Sequence, residues 1–143
     1  MSKGNTFEND LLKLIFNGTP IANIADNAGT SPLTNLYLSL HTADPGEGGD
    51  QTTSEISYTG YARVAVERST SGWTVTGNSV SPASNIAFGA MTAGTGGDAT
   101  YAVVGTASSG TGKILYKGAL SPVIAVTNGV TPIITTAAVI TED

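Results

Sequence analysis

Asp44, Glu47 and Asp50 lie in a glycine-rich run, DPGEGGD, and carboxylates on such a loop are the group type that binds Ca²⁺. Their spacing does not fit an EF-hand loop, and no bidentate Glu follows at the required distance, so a solvated acidic loop is expected. The run Gly105 to Lys113, GTASSGTGK, invites a phosphate-loop reading. Ala107 stands where that pattern needs Gly, Ile114 where it needs Ser or Thr, and a strand follows where a helix should begin, so a hairpin loop is expected. His41 is the single histidine, too few for a zinc site without carboxylate recruits, and no G-x-S-x-G elbow accompanies it. It falls on the polar face of a predicted strand, where a surface or interface role is ordinary. No carboxylate pair is marked by sequence for glycosidase chemistry. Tyr58, Tyr61 and Trp73 are the residues that could stack on a sugar, but Trp73 shares a strand face with Val75, which predicts core or interface packing.

Charge and composition limit the function further. Charged residues are 12% of the chain, against roughly 25% in an ordinary soluble domain, and Gly, Thr and Ser take their place. That surface suits a protein packed in an assembly or an exposed extracellular module. The formal charge is −5 and the six basic residues do not cluster, so there is no basic stripe to displace counterions from phosphate, and no nucleic-acid partner is expected. The chain has no cysteine, which excludes disulfides and thiolate metal sites. No apolar run approaches the roughly 20 residues of a membrane span, and Met1-Ser2-Lys3-Gly4 leads into no signal core. The expectation is a protein made in a cytoplasm with no membrane partner. The Asn17-Gly18-Thr19 sequon then carries no meaning.

Hydrophobic periodicity places these residues on elements. Residues 5 to 17 predict a helix, with Asn5 as N-cap, Glu8 completing a capping-box-like start, and Gly18 and Pro20 ending it. Phe7, Leu11, Leu14 and Ile15 form its apolar face, Leu12 and Phe16 widen that face, and Glu8, Lys13 and Asn17 lie outside it. From Leu36 onward the pattern is β. Leu36, Leu38 and Leu40 alternate with Tyr37, Ser39 and His41, the period-2 signature of a half-buried strand. Strands are predicted near 36–42, 61–68, 72–76, 85–88, 100–106, 113–119, 122–127 and 133–140. Asn128-Gly129 predicts a type I′ hairpin, and Thr92 to Asp98 a flexible loop. No repeat period or composition break is visible, which predicts one domain over 1–143, an N-terminal helical arm (1–34) appended to a β-sandwich (35–143).

Four stretches carry a family resemblance: NTFENDLLKLIFNGTPIANIADNA, the strand–loop–strand from Asn35 to Val66, GWTVTGNSVSPASNIAF, and GKILYKGALSPVIAVTNGVTPIITTAAVITED. Together they cover nearly the whole chain. The sequence resembles a family of small phage structural proteins often described as tail fibre proteins, and looks like the head cement, or decoration, proteins of short-tailed phages. The resemblance implies an all-β, jelly-roll-like antiparallel sandwich with an N-terminal helix. It also implies a non-enzymatic protein that binds the outer surface of the capsid and stabilises contacts between capsomers, with no cofactor. The implied partners are the major capsid protein and a second copy of itself, as a dimer in preference to a trimer. The alternatives are a tail, fibre or baseplate component that touches the host, and a glycan-binding accessory module. Phe7, Leu11, Leu14 and Ile15 are the candidate docking anchors. Asp44, Glu47, Asp50 and Tyr58 are the candidate contact loop.

Overall fold

A computed structural model describes residues 5–21 and 32–142. One helix, α1 (Asn5–Asn17), precedes strands β1 (Asn35–His41), β2 (Val64–Glu67), β3 (Trp73–Thr76), β4 (Ser79–Pro82), β5 (Ile86–Ala87), β6 (Gly97–Gly105), β7 (Ile114–Val126), β8 (Ile133–Ile134) and β9 (Ile140–Thr141). The sheets run in the orders β2-β1-β6-β7, β3-β4-β9 and β5-β8. The protein is all-β and antiparallel with one N-terminal helix, the expected class.

The chain forms two compact units, and they are interleaved. One combines the segment ending at Asn35 with Val66–Asn85 and the segment from Thr135; the other combines Leu36–Ala65 with Ile86–Ile134.

In the first unit α1 packs on β3 and β4. At 100° per residue, the apolar residues of α1 span an arc of roughly 200°. Its inner part carries Leu12 and Phe16, both fully buried, and Phe16 meets Trp73 edge to face at 4.7 Å between ring centroids. Glu8, expected outside the apolar face, is buried with them. It sits one turn before Leu12 on the same stripe, and a carboxylate in the first turn faces the positive end of the helix. Two asparagines tie the helix to the neighbouring backbone: Asn9 Nδ2 donates to the Gly77 carbonyl, and Asn17 Nδ2 to the Trp73 carbonyl at 3.2 Å. At the C-terminus Gly18 takes φ +64° and the Thr19 N–H turns back onto the Lys13 carbonyl. Arg68 then donates Nε to the Ile15 carbonyl, Nη2 to Leu14 and Nη1 to Leu33, which satisfies helix-end acceptors with a cation.

Strand β4 is absent from the sequence expectation. It forms a tight hairpin with β3, Thr76 opposite Ser79, and Gly77 supplies φ +61° at the first central position while Asn78 stays negative. That sign pattern is the II′ turn, for which Gly-Asn is a known signal. Pro82, paired opposite Trp73, masked the strand pattern.

In the second unit β1 lies between β2 and β6, and Leu36, Leu38 and Leu40 are buried with Val103, Val126, Ile56 and Phe88. The two strands expected at 113–119 and 122–127 are one, β7. Tyr101 pairs with Ala119 and Ala99 with Ile124, so Leu120–Val123 bulge out opposite Thr100. Pro122 sits in that bulge, where a missing N–H breaks no ladder bond. Gly97 and Asp98, expected in a flexible loop, start β6. Asn128-Gly129 does not make a hairpin. Gly129 has φ +86° but Asn128 does not share it, Val130 N–H closes the turn on the Thr127 carbonyl, and β8 pairs with β5 rather than β7. The reason is Met91: its carbonyl accepts from Gly129 N–H at 2.8 Å and its N–H donates to Val130.

Among the described residues Trp73 Nε1 is the buried side-chain nitrogen with no hydrogen-bond partner. Trp73→Ala is expected to cost about 3–5 kcal/mol in urea unfolding. Trp73→Phe, which also removes the orphan donor, is expected to cost less than half of that.

Candidate functional site

The residues with chemical potential gather around one segment, the loop from Thr42 to Gly60, which folds back over β1. Thr42 N–H donates to the Ser54 carbonyl and Ile56 N–H to the Leu40 carbonyl, both at 2.9 Å. This covers the face of β1 expected to be polar and solvated. Ser39 and His41 are therefore fully buried, and the expectation of a surface or interface histidine is corrected.

The two buried groups satisfy each other. His41 Nδ1 lies 2.8 Å from the Thr53 carbonyl, which can only accept, so Nδ1 carries the proton. Nε2 then accepts from the Ser39 hydroxyl at 2.9 Å. The imidazole is held neutral in one tautomer. Burial pushes its pKa below the usual value, against the raising influence of the Thr53 hydrogen bond and of Glu55.

Beside it, Arg63 grips Glu55 with a two-pronged contact: Nε to Oε1 and Nη2 to Oε2, each 2.8 Å. The remaining donors reach the β6–β7 hairpin loop, Nη1 to the Ala107 carbonyl and Nη2 to the Gly110 carbonyl. Tyr61 donates its hydroxyl to Glu55 Oε1 and accepts from Leu40 N–H, and burial pushes its phenol far above the usual range. The Arg63 and Glu55 side chains are 3% and 17% exposed, so the pair is a desolvated one. Gln51 completes the centre. Its Oε1 accepts from Ala107 N–H at 2.9 Å, its backbone N–H donates to the Gly112 carbonyl, and it passes so close to Gly105 and Gly112 that a Cβ on either would overlap its amide. The GTASSGTGK loop is thus a hairpin loop whose glycines make room for glutamine.

The four residues of the expected contact loop are separated by this arrangement. Asp44 is exposed and pairs with Lys117 at 2.9 Å. Asp50 accepts from Thr52 N–H and hydroxyl and so closes its own turn. Glu47 is exposed. Tyr58 is buried, donates to the Gly89 carbonyl at 2.9 Å and packs at 5.3 Å from Tyr61, so it is corrected from contact residue to core. Asp44 and Asp50 turn to different partners, and among the described residues no set of three or more such groups converges on a metal position. Trp73 is in the core, as its alternation with Val75 predicts.

The docking anchors fare differently. Phe7 is 41% exposed, and Leu11, Leu14 and Ile15 are half-buried. They form the outer edge of the apolar arc of α1, beyond the Leu12–Phe16 stripe. What sequence reasoning missed is the Arg63–Glu55–Tyr61–Gln51 centre, whose members are scattered over the loop and the segment leading into β2, with no spacing to flag them.

Arg63→Ala is expected to cost about 3–5 kcal/mol because it strands a buried carboxylate. It should also raise amide exchange at Ala107 to Gly112 more than in the rest of the chain. His41 gives a pH signature. Its folded pKa lies below the unfolded value of about 6.5, so its neutral form contributes stability that is complete above that pH and is lost as pH falls below it. The melting temperature is expected to drop between pH 7 and 5, and His41→Asn, whose amide can still reach the Thr53 carbonyl, should flatten that drop. Asp44 and Asp50, held below the ordinary aspartate range by Lys117 and Thr52, lose their contributions only at lower pH.

No curated protein matches the chain. It does match the family described as podophage GP4 fiber I protein gp80, over residues 2–142. Matched across nearly its whole length, the chain belongs to that family and is a structural protein of a short-tailed phage virion.

Proposed function

We propose that this protein is a non-catalytic subunit of the phage fibre apparatus, one that holds neighbours in place and transforms no ligand. The single observation that carries the fibre reading is the family match over residues 2–142. That description supports the fibre alternative over the head-cement expectation, and a tail or fibre protein replaces the major capsid protein as the proposed neighbour. His41, Glu55 and Asp44 are committed to internal partners: His41 to Ser39 and Thr53, Glu55 to Arg63 and Tyr61, Asp44 to Lys117. This supports a binding role. Arg63 and Arg68 spend their donors on backbone carbonyls and Glu55, which leaves little basic surface for nucleic acid.

The proposed attachment surface is the outer strip of α1, with Phe7 as its exposed anchor and Leu11 and Leu14 beside it. An amphipathic helix offered this way docks in an apolar groove of its neighbour, and an interface of roughly 800 Å² per partner suffices. Repeated copies on a virion turn modest contacts into durable ones through effective concentration.

Gold-labelled antibody on intact virions tests the location. Label at the tail with few copies per particle is expected, and label spread over the head would return the reading to cement. Phe7→Asp is expected to leave the β circular-dichroism signal unchanged and reduce incorporation into particles about tenfold, equivalent to about 1.4 kcal/mol of binding. Undiminished incorporation would remove the helix strip as the attachment surface.

A further inference from the structure

Asparagine followed by glycine occurs at Asn17-Gly18 and at Asn128-Gly129. The pair carries chemistry of its own, because glycine has no side chain to keep its backbone nitrogen away from the preceding asparagine. That nitrogen, once hydroxide has taken its proton, attacks the asparagine Cγ. A C–N bond forms and closes a five-membered succinimide. The Cγ–Nδ2 bond breaks, and the amide nitrogen takes a proton from water and leaves as ammonia. A second water opens the ring at either carbonyl, giving aspartate or isoaspartate, and nothing is oxidised or reduced. The turn at Asn128 opposes each step. A negative φ at Asn128, φ +86° at Gly129 and closure of Val130 N–H on the Thr127 carbonyl at 2.9 Å make it a type II turn. Such a turn holds ψ of Asn128 near about +120°, roughly a third of a rotation from the position that would eclipse the Gly129 nitrogen with Cβ for ring closure. The proton that must leave first is engaged. Gly129 N–H donates to the Met91 carbonyl at 2.8 Å, so its loss would leave an anion facing an oxygen. The leaving group is engaged too: with its nitrogen turned inward, the Asn128 amide donates to the Met91 and Thr92 carbonyls at 3.2 and 3.0 Å. Asn128 is exposed, so water and hydroxide reach it, and hydrogen bonding rather than burial keeps the pair unreactive.

We propose that Asn128-Gly129 is a latent deamidation site. It is held shut by the Met91 and Thr92 carbonyls in the folded turn, reacts whenever that contact opens, and does not close again once converted. The last step follows from the count of donors. An aspartate carboxylate at position 128 has no N–H and would face two carbonyl oxygens, acceptor against acceptor. Isoaspartate also lengthens the backbone by one carbon and so breaks the turn from Thr127 to Val130. Either product loosens the pairing beside it, where Met91 N–H meets the Val130 carbonyl, Phe88 N–H meets the Pro132 carbonyl, and β5 meets β8. Copies that keep the turn closed are spared, and copies that open are marked. None of this depends on where the protein sits in the virion.

The test holds the full chain in mildly alkaline buffer, folded or in urea, and follows each asparagine by peptide mass spectrometry. In urea both Asn128 and Asn17 are expected to convert. In the folded chain Asn128 should convert at least about tenfold more slowly, because the reaction then draws only on the open fraction of turns. Equal rates at Asn128 in the two conditions, or an unreactive Asn128 in urea while Asn17 converts, would overturn the proposal. The one-way step is read separately. Chains partly converted in urea are refolded by dilution, and the folded fraction is isolated by gel filtration. Aspartate and isoaspartate at position 128 should be depleted from that fraction, and their equal presence in folded and unfolded material would overturn the proposal. Asn128→Asp, the encoded product, should melt below Asn128→Ala, which loses the donor without adding a charge, and equal melting would also overturn it. A chain that folds as Asn128→Ala and not as Asn128→Asp gives the expected result in its strongest form. Should neither variant fold, the refolding comparison on the wild type decides.

Discussion

The two-pronged contact between Arg63 and Glu55 holds three parts of the second unit in register: the returning loop, the segment that leads into β2, and the β6–β7 hairpin. A desolvated ion pair contributes little net stability against a hydrophobic replacement, but it is costly to leave half made. Its value here lies in geometry. With five donors in a planar fork, arginine satisfies one carboxylate and two loop carbonyls at once, which lysine could not do. The fixed carboxylate then orients Tyr61, Tyr61 orients the end of β1, and the loop lies where it must to bury His41 and Ser39. Gln51 does the same work for the hairpin with a neutral amide. A segment rich in Gly, Thr and Asp, with little apolar surface of its own, is ordered by polar groups that each have a partner.

The first unit is organised by the opposite means. Its helix is anchored by aromatic contact and by two asparagines and an arginine that serve backbone carbonyls. Because the apolar arc of α1 is wider than one packing surface needs, burial of Leu12 and Phe16 leaves Phe7, Leu11 and Leu14 to face outward or lie half-covered. One helix can thus serve the core on one side and leave an apolar strip uncovered on the other. The acidic loop, which composition makes the obvious contact element, is instead spent on internal turns and on a single surface ion pair worth little.

Periodicity made the all-β class and the helix legible, because Leu36, Leu38 and Leu40 alternate and Leu11, Leu12, Ile15 and Phe16 cluster at helical spacing. It also placed Trp73 in the core. Periodicity cannot tell which part of a wide apolar arc faces inward: Phe7, Leu11, Leu14 and Ile15 read as the centre of the face, while the packing falls to Leu12 and Phe16, expected only to widen it. Nor can it tell a polar face covered by a loop from one open to water, so His41 reads from sequence as a surface residue and is buried in the fold. Pro82 and Pro122 hid one strand and split another, since proline in a strand is readable only once the bulge or edge that tolerates it is known. The Arg63 centre left no trace, because its members are joined by folding rather than by spacing.

The interleaved path of the chain has a consequence for how such a protein can change over time. The polypeptide passes from one unit to the other four times, at the start of β1, within β2, after Asn85 and after Ile134. Neither unit is a continuous stretch of gene. A break in the coding segment anywhere between residues 36 and 134 would therefore divide both units at once. Change that spares both cores must therefore come by point substitution at exposed positions, or by replacement of the entire reading frame.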